Sequence, residues 1–179
     1  CLVLDLTEEE QQAYRFAYDA LDAARAPKLM LATYFGALGD NLPTVAALPV
    51  AGIHVDLVRA PEQIGSLVGA IPEDRILSLG VVDGRNVWRT DIAPLLDRLE
   101  LLAKDNPGRF QLAPSCSLLH VPFDLGLETG LDPELKSWLA FAVQRIEELA
   151  VISHALSVDR ANVSSFIAAA SRALSVRAS

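Results

Sequence analysis

The side chains able to do chemistry in this 179-residue chain cluster in polar runs at the ends of apolar ones. Asp56 and Arg59 close the run from Gly52 to Val58. Asp83-Gly84-Arg85-Asn86 closes the run from Arg75 to Val82. Ser115, Cys116 and Ser117, with His120 just beyond, close Phe110-Gln-Leu-Ala-Pro-Ser115. A thiolate at Cys116 would be a nucleophile or metal ligand if a neighbouring base such as His120 took its proton. The competing reading, a small buried hydrophobe, is the commoner fate of a free cysteine and is preferred. Arg85 has the planar fork that clasps a carboxylate, and Gly84 lets the backbone turn beside it. An internal Asp83–Arg85 or Asp56–Arg network explains the same residues and is preferred over ligand contact. Asp56, Arg59, Asp83, Arg85, Asn86, Ser115, Cys116 and His120 together are the candidate rim pocket.

Other reactive or aromatic residues read as structural. His54 lies in a strand-like alternation and His154 on a helical stretch, and neither has a second ligand at metal spacing. Trp88, Trp138 and Phe141 fall near apolar helical positions and are assigned to the core rather than to a stacking platform. The charged stretches Asp91–Glu100 and Arg145–Glu148 have the pattern of solvated helix faces.

The elements that must position the polar runs can be read from periodicity. Thr7-Glu8-Glu9-Glu10 is a capping box, and Phe16, Ala17, Ala20, Leu21 and Ala24 continue at helical spacing, so a helix is expected from Thr7 to Arg25, ended by Pro27. Lys28–Phe35, Gly52–Val58, Arg75–Val82 and Phe110–Ser115 read as strands, the first as a run buried on both faces. Helical stretches at Leu42–Leu48, Pro61–Ala70 and Asp91–Lys104 alternate with them. Asp132 and Pro133 open a helix at N-cap and N1, and Leu135, Trp138, Leu139, Ala142, Ile146 and Leu149 extend it to Leu156; another runs from Asn162 to Leu174. Alternation of strand and helix implies parallel βα units. With Thr33 and Tyr34 ending the first, four polar strand ends suit the working rim of a barrel, whereas Tyr34-Phe35-Gly36-Ala37-Leu38-Gly39 fits neither GxGxxG nor a P-loop. The expected fold is α/β, a partial TIM-type barrel of about four parallel strands with flanking helices, residues 1–179 being one fragment of a barrel domain.

Composition narrows the partners. With 51% apolar and 21% charged residues the chain can bury a core. Fifteen Lys+Arg against 23 Asp+Glu, net −8, with no basic stripe, speaks against nucleic acid. No apolar run approaches the roughly 20 residues of a bilayer span. Two cysteines, Cys1 and Cys116, fit a reducing compartment better than a disulfide framework, so a cytoplasmic location is expected. Met30 is the single methionine, which hints that the chain begins inside a longer polypeptide.

Five segments in order, Ala32-Thr-Tyr-Phe-Gly36, Asp56-Leu-Val-Arg59, Gly80-Val-Val-Asp-Gly-Arg-Asn86, Ser115-Cys-Ser-Leu-Leu-His120 and Lys136-Ser-Trp-Leu-Ala-Phe-Ala142, resemble the later half of the N-terminal barrel of cobalamin-independent methionine synthase. The resemblance spans nearly the whole chain. It implies a two-barrel methyltransferase that passes a methyl group from a methyltetrahydrofolate polyglutamate to homocysteine, with zinc in the C-terminal barrel, and hence the remainder of that enzyme as a partner. The two barrels look like products of duplication. Laid on this chain, the family's His-x-Cys falls on Ala32 and Tyr34, its Glu on Asp56, its donor His on Arg85 and its final Cys on Cys116. The resemblance therefore implies a degenerate zinc site, no cofactor bound by this segment and no catalysis by it alone. Two rivals are a stand-alone binding or assembly module and a small-molecule enzyme of the same barrel superfamily, such as a decarboxylase with rim arginines as carboxylate holders. Open strand edges near Lys28–Phe35 and Phe110–Ser115 predict self-association of the isolated chain.

Overall fold

A computed structural model describes residues 2–24, 27–106 and 108–178. Cys1 and Arg25, which figured in the expectations above, lie outside the described residues. Four strands, β1 (Met30–Ala32), β2 (Gly52–Asp56), β3 (Ile76–Val82) and β4 (Phe110–Pro114), form one sheet in the order β1-β2-β3-β4. β1 pairs parallel with β2, and β2 with β3. Leu77 donates to the Arg109 carbonyl and Ser115 to that of Val82, so residue numbers rise together along β3 and β4 and that pair is parallel too. The sheet does not close. It is an α/β fold with flanking helices, consistent with part of a TIM-type barrel.

Contacts divide the chain into two compact units, Cys1–Gly80 with Arg109–Gln111, and Val81–Gly108 with Leu112–Ser179. In the first unit, α1 (Glu8–Ala23) starts at Thr7 as the capping box requires. The Thr7 hydroxyl accepts from the Glu10 amide, and the Thr7 amide donates to the Glu10 carboxylate at 2.8 Å. That amide, with the Thr7 hydroxyl, holds the Glu10 carboxyl below its ordinary value. No residue of α1 is buried, and Phe16 is 78% exposed, so its apolar stripe has no cover within the described residues. The helices α2 (Leu42–Ala47) and α3 (Ile64–Ala70), the latter led in by a 3-10 turn at Pro61–Gln63, lie between successive strands in sequence and pack against each other. Val45, Leu48, Ile53, Val55, Leu67, Leu77 and Leu79 form the buried core there. β2 is buried throughout, as a central parallel strand should be. β1 corrects the expectation: only Leu31 is buried and Met30 and Ala32 are exposed, because β1 is the edge of the sheet and one of its faces is bare.

The second unit holds α4 (Ile92–Asp105), α5 (Pro133–Ser137), α6 (Ala142–Ser157) and α7 (Ser164–Ala178), with α4 packed on both α6 and α7. Leu96, Leu99, Ile152, Ala170 and Ala173 are buried in it. Arg160, before α7, pairs with Asp97 at 2.5 Å and Glu100 at 3.4 Å; the Asp97 hydrogen bond holds the guanidinium pKa above its ordinary value. The single helix expected from Asp132 to Leu156 is instead α5 and α6, with Trp138–Phe141 between them. Here the backbone pairs elsewhere: Arg89 donates to the Trp138 carbonyl and Ala140 to that of Val87, both at 2.8 Å, framing a bridge between Trp88 and Leu139. Leu125, Leu139 and Phe141 make a small core with Val87, Leu131 and Leu135. Trp88 is not in it, contrary to its core assignment. It is 44% exposed, with the Arg177 guanidinium 4.8 Å from its ring centre.

Candidate functional site

The polar strand ends belong to the two units separately. In the first, Asp56 ends β2 and is buried, and its carboxylate accepts three backbone amides. One oxygen accepts from the Val58 and Arg59 amides, both at 2.9 Å, and the other from the Phe35 amide at 3.0 Å. Three amide donors on one carboxylate make a clamp that fastens the loop after β1 to the end of β2. It also holds Phe35 at φ 75°, in the left-handed region that few non-glycine residues occupy. Beneath it, Gln63 bridges two backbones: it donates to the Asp56 carbonyl at 3.0 Å and accepts from the Leu38 amide at 3.2 Å. His54 stands opposite Ala32 and Ser78 in register, within 3.0 Å of the Ser78 hydroxyl through Nδ1 and 5.4 Å from Tyr34 between ring centres. Thr33 donates to the His54 carbonyl at 2.9 Å. Ala32, Tyr34 and Arg59 are exposed.

In the second unit, the loop after β3 is organised from within. Asp83 accepts from the Arg85 amide at 2.8 Å and from the Asn86 side chain, and Asn86 in turn accepts from the Trp88 amide at 2.9 Å. Arg85 is exposed. Gly84 donates to the Ser115 hydroxyl at 3.2 Å, and a Cβ on it would lie 2.7 Å from the Cys116 carbonyl and 3.0 Å from its sulfur. Only glycine allows the ends of β3 and β4 to approach this closely. Cys116 is buried under that contact, and Ser117 caps the following turn through the Leu119 amide. His120, in that turn, is exposed. The structure thus brings Asp83, Asn86, Gly84, Ser115 and Cys116 together.

The residues that fix this loop most firmly were read as a solvated helix face. Arg145 and Glu148 of α6 are buried, 0% and 1% exposed at the side chain, and pair at 2.8 Å. Glu148 accepts from the Thr90 amide at 2.9 Å and its hydroxyl at 2.7 Å. Arg145 donates to the Thr90 hydroxyl, the Asn86 carbonyl and side chain, and the Trp88 carbonyl. An i,i+3 charge pair looks the same on either face of a helix, so the sequence gives no sign that this one faces inward. Arg109 was also missed. Buried in the first unit, it donates to the carbonyls of Val68, Ile71 and Pro72, neutralising the negative end of α3.

Among the described residues no three His, Cys, Asp or Glu side chains converge as a metal set, and no helix is long and apolar enough to cross a membrane. An open parallel sheet with helical crossovers is consistent with a protein of the βα-barrel class. The sequence pattern described as cobalamin-independent synthase, N-terminal domain, matches residues 1–107. This chain belongs to that family. A Chelativorans relative (strain BNC1) named 5-methyltetrahydropteroyltriglutamate--homocysteine methyltransferase is 72% identical over 179 residues, covering 100% of this chain and 23% of its own. Relatives of the same name from Rhodopseudomonas palustris (strain CGA009) and Caulobacter vibrioides are 56% and 54% identical, covering 98% and 99% of this chain. The chain spans 23% of the length of these curated relatives.

Proposed function

We propose that the chain is the later half of the N-terminal barrel domain of a methyltransferase that moves a methyl group from a 5-methyltetrahydrofolate polyglutamate to homocysteine, giving methionine. The observation that carries this is similarity over the full chain to relatives bearing that activity in their names. Residues 1–179 form one scaffold fragment of that domain, and the remainder of the enzyme is its partner. The cytoplasm is the compartment that suits a reduced Cys116.

Zinc, which the family reading puts in the other barrel, does not fit the residues here. Ala32 has no donor atom, and Tyr34 offers only an exposed phenol. Asp56 has both oxygens committed to three amides. Cys116 is buried and packed against Gly84. Four-coordinate zinc needs donors that this set lacks, so we assign the inherited positions to structural duty and no chemical step to this segment. Asp56 clamps two loops within its own unit, and the segment serves as scaffold that helps cover the folate tail in the whole enzyme.

The test is an assay of the full-length gene product with homocysteine and the methylated folate triglutamate, beside the 179-residue chain alone. Methionine formed by the former and not the latter agrees with the proposal. No turnover by the full-length protein loaded with zinc refutes the activity, and turnover by the 179 residues alone refutes the scaffold role. Sedimentation of the 179-residue chain is expected to show self-association through the open edges of β1 and β4.

A further inference from the structure

The segment after β4 carries an apolar display that the second unit's own core does not use. From Leu119 to Leu127 the large apolar side chains at every second position alternate between exposed and buried. Val121 and Leu125 are buried, 9% and 5% exposed, while Leu119, Phe123 and Leu127 are 94%, 72% and 70% exposed. Scattered surface leucines need no explanation, but a second apolar row in strict alternation with the buried one is a patterned surface.

The backbone that bears this row is fixed. The carbonyls of Pro122 and Phe123 accept from the Ala142 and Val143 amides at 2.9 and 3.0 Å, satisfying the first turn of α6. Gln144 accepts from the Leu125 amide and donates to Asp124 at 2.9 Å, and Asp124 also accepts from the Gly126 amide at 2.8 Å. The Gln144 and Gly126 bonds hold the Asp124 carboxyl below its ordinary value, so the fastening persists through the neutral range. A rigid loop displaying large apolar groups loses little entropy on docking, and such groups dominate interface energies.

Charge selects the occupant. The stretch from Leu119 to Lys136 carries Asp124, Glu128, Asp132 and Glu134 against His120 and Lys136, and Glu128, Asp132 and Glu134 are exposed. A second copy docking isologously through this stretch would set its acidic residues against themselves. The relatives, by contrast, are more than four times as long as this chain, so polypeptide beyond these residues is available as a cover. We infer that Leu119, Phe123 and Leu127 are the anchor by which this unit docks onto a part of the same polypeptide outside residues 1–179, one presenting an apolar surface fringed by Lys or Arg. The inference rests on the proposal that the chain is part of a larger synthase.

The test places the photo-crosslinking residue p-benzoylphenylalanine at Phe123 in the full-length gene product; the site is solvent-exposed in this segment, so the exchange should not disturb folding. Irradiation is expected to give cross-links within one chain, mapped by mass spectrometry to residues outside this segment. Carbene labelling of the peptide holding residues 119–127 should fall severalfold from its urea-unfolded level. Cross-links to a second chain, or no cross-link together with labelling at the unfolded level, overturn the inference. Methyl transfer by the same preparation is read separately. An active enzyme with neither cross-link nor protection from labelling defeats the docking alone, and a cross-linked but inactive one defeats the proposed activity alone.

Discussion

Replacing Glu148 by alanine removes the one carboxylate paired with a guanidinium that has 0% side-chain exposure. Breaking a buried ion pair from one side costs about 3–5 kcal/mol, because the remaining charge stays desolvated. Two further donors, the Thr90 amide and hydroxyl, lose their acceptor, which keeps the expected loss at the upper part of that range. With a urea dependence of roughly 1–3 kcal/mol per molar, a 4 kcal/mol loss moves the unfolding midpoint by at least about 1 M. The second arm of the experiment replaces both partners with apolar residues of similar volume, Arg145→Met with Glu148→Leu. That variant is expected to recover about half or more of the loss, since no charge is left stranded, while Asn86, Trp88 and Thr90 still lose their tether. Urea titration followed by circular dichroism and tryptophan fluorescence reads both, because Trp88 lies in the tethered loop. A Glu148→Ala loss below about 1 kcal/mol is what an exposed helix-face pair would give, and would refute the buried tether.

Asp56→Ala should cost about 1–3 kcal/mol and raise amide hydrogen exchange at Phe35, Val58 and Arg59 together, since all three donate to that carboxylate; unchanged exchange at Phe35 would contradict the clamp. Gly84→Ala should destabilise by about 1–3 kcal/mol or more through its collision with the Cys116 carbonyl, whereas Gly65→Ala, in open space on α3, should stabilise by up to about 1 kcal/mol; equal effects on thermal melting would refute the close approach. The Glu10 carboxyl has a lowered folded-state pKa, so its contribution to α1 is present above the ordinary glutamate range and is lost as pH falls through the lowered value. Carbon-detected NMR titration should show Glu10 titrating below the ordinary glutamate value in the parent and returning toward it in Thr7→Ala.

Elements with a local cause were legible in the sequence. The Thr7–Glu10 box places the start of α1, and Asp132 with Pro133 places the start of α5, because caps act through neighbours three residues away. The strands fall inside the apolar runs for the same reason. What failed depended on partners distant in sequence. Leu135, Trp138, Leu139 and Ala142 keep helical spacing through a stretch whose amides and carbonyls pair with Val87 and Arg89. Arg145 and Glu148 turn inward because Asn86, Trp88 and Thr90 supply them with partners. At the rim, polar residue types marked the strand ends, yet nothing in them distinguished a carboxylate facing a ligand from Asp56, both of whose oxygens accept backbone amides.

The tether between Glu148 and Thr90 joins residues 58 positions apart. A ribosome adding about 5–20 residues per second needs roughly 3–12 s to bring Glu148 into existence after Thr90. Throughout that interval the turn from Asn86 to Thr90 lacks the side chains that fix it, although the strand before it is already complete. Nascent chains halted before Glu148 has emerged should therefore be cut by proteases between β3 and α4, and chains released after it should resist.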